Sequence, residues 1–222
     1  YPAGDEYARS NPQWIWQQCL HNAEFRMRVA DRVHRHFNHG GVLTPESVVR
    51  LLNKRVEELR LAVVGESARW GDPHRTNWAP LSRDGGNNRP RTLDDDWEPE
   101  VKRWLNEFIP ERSRIVVGQL WKHGLIPDLK AARVGKRGGV VDSGFELEMS
   151  ATQGELYYTM DGSDPRLIGG GVSPAAKKYT KPVRLTRNCR INVRVLFRNE
   201  WSAIDELPFE VKQKQVARNL KS

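Results

Sequence analysis

The stretch Arg190-Ile191-Asn192-Val193-Arg194-Val195-Leu196-Phe197-Arg198 reads at a period of two. Side chains of a strand point alternately to opposite faces, so Ile191, Val193, Val195 and Phe197 are expected in a core, with Arg190, Arg194 and Arg198 on the solvent side. Phe145–Met149 and Leu156–Met160 alternate in the same way between Gly and Asp punctuation, and further strands are expected near Val183 and over Leu207–Val211. About five or six short strands without an intervening helical pattern imply an antiparallel β-sandwich.

Upstream of residue 128 the period changes to that of helices. Asn22 precedes Phe25, Val29, Val33 and Phe37, one apolar stripe at a spacing of four that stops at Asn38-His39-Gly40-Gly41. Thr44-Pro45-Glu46 then supplies a cap, a first-turn proline and an acidic first turn for a second helix. Val48, Leu51, Leu52, Val56, Leu59 and Val63 are expected to be its buried face. Pro12–Leu20, with Trp14 and Trp16, reads as a short helix. From Gly71 to Asp95 the composition is that of a long loop, and one of Asp94, Asp95 and Asp96 is expected to cap a helix over about Trp97–Ile109. Pro110 restarts the helix; Ile115, Val116, Leu120 and Trp121 form its face, and Gly124 and Pro127 end it.

The expected architecture is therefore α+β and multidomain, with a helical subdomain over 1–127, a linker over 128–141 and a C-terminal antiparallel β-sandwich of immunoglobulin or fibronectin-III type over 142–222. The length of 222 residues fits two small domains. Charge divides unevenly: residues 1–127 carry 19 Lys+Arg against 17 Asp+Glu, and 128–222 carry 17 against 11. The basic C-terminal part allows weak attraction to polyanions. No apolar run is long enough to span a membrane, so membrane insertion is not expected, and Tyr1-Pro2-Ala3-Gly4 reads as the interior of a longer polypeptide. Cys19 and Cys189 lie too far apart in sequence to imply a bridge or a paired-Cys metal site, and they are read as two unlinked thiols.

Several motifs invite chemistry and have a plainer reading. His34, His36 and His39 place at most two rings on one helical face, short of a metal set. Asp161-Gly162-Ser163-Asp164-Pro165 lacks the alternating acids of a calcium loop and reads as a turn. Gly135-Lys136-Arg137-Gly138-Gly139 lacks phosphate-loop spacing and reads as part of the linker. There is no Gly-x-Ser-x-Gly, no Cys close to a His in a recognisable context and no kinase signature, so neither a catalytic group nor a cofactor is expected. Arginines alternating along a strand without exposed aromatic platforms make nucleic acid an unlikely partner.

Two groups of residues resemble known families. Asn22–Arg26, Ala30–Val33, Phe37–Thr44 and Glu66-Ser67-Ala68-Arg69-Trp70-Gly71-Asp72, closing at Gly124–Pro127, resemble the C-terminal helical end of bacterial proteins of the spore-coat CotH kinase family. Gly154–Arg166, followed by Gly169-Gly170, Tyr179 and Glu200–Ala203, is similar to the chitobiase/hexosaminidase C-terminal type of immunoglobulin-like domain. The first resemblance implies a kinase-like parent, exported or held at the cell surface, whose nucleotide-binding portion lies upstream. Glu66, Arg69, Trp70, Asp72, Asp161 and Asp164 are then family-motif residues with structural roles.

These readings make the chain a non-catalytic scaffold or interaction module whose partner is the upstream part of the same polypeptide. An alternative is a carbohydrate-binding module that stacks cell-wall or other polysaccharide on Tyr157, Tyr179 and Trp201, rings that could equally fill the core. A third is weak polyanion binding by Arg190, Arg194 and Arg198.

Overall fold

The computed structural model describes residues 12–70 and 91–213. Among the described residues, helices α1 (Pro12–Cys19), α2 (Ala23–Phe37) and α3 (Pro45–Trp70) come first; α4 (Glu98–Arg103) and α5 (Ile109–Lys122) follow, and then ten strands. Contacts gather the residues up to Arg35 and from Gln119 onward into one compact unit, and His36–Gly118 into another. Residues 71–90 of the expected long loop, with Asp72, lie outside the described residues, and its last three residues, Leu93–Asp95, are helical and not loop.

Helix boundaries follow local chemistry. The Asn22 carboxamide accepts the amides of Glu24 (2.8 Å) and Phe25 (3.2 Å), as an N-cap should. At the other end of the helical part, the Gly124 amide bonds Trp121 (2.9 Å) and the Leu125 amide bonds Leu120 (3.0 Å), with Gly124 at φ 65°. That pair of bonds is the glycine-terminated closure seen at many helix ends. The run of three aspartates is capped differently from expectation. Thr92 is the cap: its hydroxyl accepts the Asp95 amide at 3.0 Å, while the Asp96 carboxylate accepts the Thr92 amide at 2.8 Å.

Helical structure then runs without a break to Lys122, through two π-helical turns at Leu93–Trp97 and Trp104–Phe108. Each turn ends where the residue before a proline, Glu98 or Ile109, bonds back five residues. Pro99 and Pro110 have no amide to donate, and their rings would press on the carbonyl four residues back in a regular helix; a widened turn removes the clash. Pro110 therefore sits inside a continuing helix instead of restarting one.

Helix α3 departs most from its sequence reading. Val48, Leu52, Val56 and Val63 are half-buried, whereas Leu51 and Leu59 are 56% and 51% exposed. At its C-terminal end the Arg69 guanidinium lies 4.9 Å over the exposed Trp70 ring, Glu66 is exposed, and the Ser67 hydroxyl donates to the Arg91 carbonyl.

The β-rich part has one six-stranded sheet and two short ladders. The sheet has the order β2 (Gly139–Asp142), β10 (Asp205–Lys212), β8 (Cys189–Phe197), β5 (Glu155–Thr159) and β6 (Lys177–Lys178), with β9 (Glu200–Trp201) also on β8. The ladders are β1 (Arg133–Val134) with β4 (Met149–Ser150), and β3 (Phe145–Leu147) with β7 (Val183–Leu185). Strand β2 runs parallel to β10, so the sheet is mixed where a purely antiparallel one was expected. Residues 128–141 are no linker. They contain β1 and all of β2 but Asp142, and bury Leu129, Ala132 and Val141 in the same core as Leu147, Leu185, Ile191, Val193, Val195 and Leu207.

Tight turns depend on glycine at a few points. At Gly154, φ is 77° and an added Cβ would lie 2.4 Å from the Leu196 carbonyl oxygen and 2.8 Å from Phe197 Cβ. Neither backbone nor Cβ can give way cheaply. Gly154→Ala should therefore destabilise the protein by about 3 kcal/mol, read as a lower urea midpoint at unchanged slope. A midpoint within error of the parent would show the turn to be pliable.

Candidate functional site

Both faces of β8 are covered. Ile191, Val193 and Val195 enter the apolar core as expected, but Asn192 and Arg194 on the opposite face are buried too. Arg194 is 1% exposed, which overturns its assignment to the solvent side. Burying a lone guanidinium costs several kcal/mol, so every N–H needs an acceptor.

All five find one. Nε and Nη2 clasp the two oxygens of Asp164, both at 2.7 Å. Nη2 and Nη1 clasp Asp31 at 2.7 and 2.8 Å, and Nη1 also bonds the Ser202 carbonyl at 2.8 Å. Asp31 in turn accepts the Ile204 amide at 2.9 Å. Burial works against the charge on Arg194, yet the carboxylates of Asp164 and Asp31 outweigh it and hold the guanidinium more firmly protonated than usual.

Asp164 comes from the Asp161–Pro165 turn that follows β5, and local bonds shape that turn. Asp161 accepts the Ser163 amide (2.9 Å) and hydroxyl (2.6 Å), the Thr159 hydroxyl donates to Ser163 O at 2.6 Å, and Asn192 donates to Gly162 O at 2.7 Å. Asp31 comes from α2, whose Glu24, Asp31, His34 and Arg35 all reach the β-rich part. Glu24 takes both Nη groups of Arg166 at 2.6 and 2.7 Å and the Gly169 amide at 2.8 Å. The Arg166 hydrogen bonds, followed by the Gly169 amide, lower the Glu24 carboxyl to about 2.

His34 Nε2 lies 2.7 Å from Asp205 Oδ1, which also accepts Arg137 Nη1 at 2.6 Å. Burial pushes the Asp205 carboxyl upward, but His34 and Arg137 together hold it below the ordinary range. Arg35 and Glu206 meet at 2.9 Å in solvent, where such a pair contributes about 0.5 kcal/mol. The arrangement is an ionic seam along one helix. Its chemistry is positional: opposite charges on facing elements fix α2, up to Arg35, against β8, β10 and the loop after Asp164.

The other expected site residues do not converge. Trp201 is 3% exposed and donates Nε1 to the Gly170 carbonyl at 2.7 Å, so it offers no face to a sugar ring. Tyr157 is half-buried 5.9 Å from Trp201, its hydroxyl on Glu155, which also pairs with Lys178. Tyr179 packs on the core edge-on to Tyr158, and its hydroxyl accepts the Met149 amide at 3.0 Å. Arg190 and Arg198 are exposed, but Arg194 between them is internal, so the expected stripe of three is broken. Arg198 lies 5.0 Å over the Phe197 ring. Among the described residues no three His, Cys, Asp or Glu side chains gather as a metal site, and no helix is long and apolar enough to cross a membrane. Cys19 and Cys189 are free thiols.

Glu24, Asp31, His34, Arg137, Arg166 and Asp205 were not legible as site residues. A signal for the helical ones existed: positions 24, 27, 31 and 34 lie on one helical face, beside the apolar stripe that drew the reading.

Residues 145–204, from β3 through Arg194 and Trp201 to the approach of β10, match the family model described as Fn3 associated. This supports a β-rich, immunoglobulin-like class for that segment. No curated protein matches the chain, and no solved structure matches it.

Removing one member of a buried, hydrogen-bonded charge group leaves the others uncompensated. Arg194→Met should cost about 3 kcal/mol, measured by chemical denaturation, and a cost below 1 kcal/mol would contradict the seam's importance. Acid should act on Glu24 in a defined window. Its folded carboxyl titrates below the unfolded value, so its contribution is complete above that value and disappears as pH falls toward about 2. The melting-point gap between the parent and Glu24→Gln should be constant near neutrality and shrink across that window. A gap independent of pH down to 2 would be inconsistent with the ion pair.

Proposed function

We propose that the chain is a non-catalytic scaffold module in which an immunoglobulin- or fibronectin-III-like β-sandwich clasps the helix before it. One observation carries this reading: the buried Arg194 side chain joins Asp31 of α2 to Asp164 of the β-rich part with every donor used. A charge buried so completely between two segments serves to fix their geometry. The sandwich is supported by a core shared between the large sheet and the β3–β7 ladder, and by the Fn3-associated match over 145–204. A parent of the CotH kinase kind exported or held at the cell surface, and a chitobiase-type accessory domain, belong to this proposal on the strength of the quoted sequence runs alone.

In this reading Glu66, Arg69, Trp70, Asp161 and Asp164 hold structure, and phosphoryl transfer belongs to an upstream portion. Purified chain incubated with labelled ATP and Mg²⁺ or Mn²⁺ should transfer no phosphate to itself or to casein. Label incorporation above a heat-killed control would overturn the proposal.

The carbohydrate reading is narrower. With Trp201 buried and Tyr179 on the core, it rests on Tyr157 beside Glu155 and Lys178. A single half-buried ring gives weak stacking, so calorimetric titration with chitin oligomers should show no saturable heat at millimolar ligand. Polyanion binding is left with Arg190 and Arg198, and would weaken steeply with salt.

A further inference from the structure

Arg166-Leu167-Ile168-Gly169-Gly170-Gly171-Val172 closes on itself. Arg166 and Val172 form an antiparallel bridge, the Leu167 amide bonds Gly171 O at 2.7 Å, and the Gly170 amide bonds Leu167 O at 2.9 Å. The tip is apolar and turned to solvent, with Ile168 86% exposed and Leu167 and Val172 also exposed. Three consecutive glycines lose more conformational freedom on ordering than any other triplet. Gly169 and Gly170 adopt φ of 88° and 95°, and a Cβ on either would meet nothing within 4 Å, so side-chain packing does not hold them. The loop's own backbone bonds close it, and hydrogen bonds from outside add to them. Trp201 Nε1 holds Gly170 O from within the sheet. Glu24 holds Arg166 and the Gly169 amide from α2, more than 140 residues earlier in the chain.

We infer that docking of α2 gates this loop: with Glu24 in place the Leu167–Ile168 tip is presented in one conformation, and with Glu24 withdrawn the glycines release it. The coupling is reciprocal, since free energy that orders the loop through Glu24 must also favour the docked helix. The inference stands on these contacts and is independent of whether the chain is a scaffold.

Hydrogen exchange on the full chain tests it. Glu24→Ala should raise exchange at the Leu167, Gly169 and Gly170 amides by about tenfold or more, with Val193 and Val195 of β8 unchanged. Arg166→Met should raise exchange in α2 around Ala30–Val33, the reverse direction of the same coupling. Glu24→Gln, which keeps an acceptor, should show a smaller rise and guards against a variant that fails to fold. Loop amides that exchange as in the parent would overturn the inference, and so would an equal rise in the loop and β8, which would make Glu24 a general stabiliser.

Discussion

A buried guanidinium must be fully hydrogen-bonded or it unfolds what surrounds it, and Arg194 meets that demand with ligands from three places. Asp164 belongs to the turn after β5, Ser202 to the segment after β9, and Asp31 to α2. Each of these must be in position for the others to be stable. The Asp161–Ser163 turn bonds, the Ser202 hydroxyl that accepts the Val195 amide, and the Ile204 amide on Asp31 all serve to hold the three acceptors where Arg194 needs them. The apolar core on the other face of β8 supplies most of the burial energy, but it does not select which helix lies near the strand. The charges do.

The rest of the seam follows the same logic with decreasing force. Glu24–Arg166 is bidentate and half-sheltered, His34–Asp205–Arg137 centres on a buried carboxylate, and Arg35–Glu206 lies in water. Ion pairs gain most where solvent is excluded and geometry is fixed. The gradient along the helix therefore makes Asp31 the anchor and Arg35 an accessory.

Much of the fold was open to sequence reasoning. Asn22 acts at a helix end through its side chain and Gly124 through its own φ, and Ile191, Val193 and Val195 alternate as a strand must. Thr92 escaped because three aspartates next to it offered the same chemistry, and only geometry separates a hydroxyl that caps from a carboxylate that returns the bond. Residues 128–141 looked like a linker because Gly135, Gly138 and Gly139 flank a Lys-Arg pair in a run that shows no clear alternation. Parallel pairing of β2 with β10, near the chain's other end, turned that stretch into sheet.

Local order was thus written in the amino acids: periods, caps and glycine positions act over a few residues and leave a pattern in the sequence. The meaning of Arg194 was not. Arginine at every fourth position of a strand looks like a solvated face, and the same spacing serves a buried ligand when a helix 163 residues away places Asp31 over it. Trp201 and Tyr157 illustrate the converse, since aromatic rings suited to a sugar platform were drawn to a loop carbonyl and to a neighbouring glutamate. Which charges meet, and which rings are covered, depends on contacts between distant segments. Those contacts exist only once the chain has closed on itself.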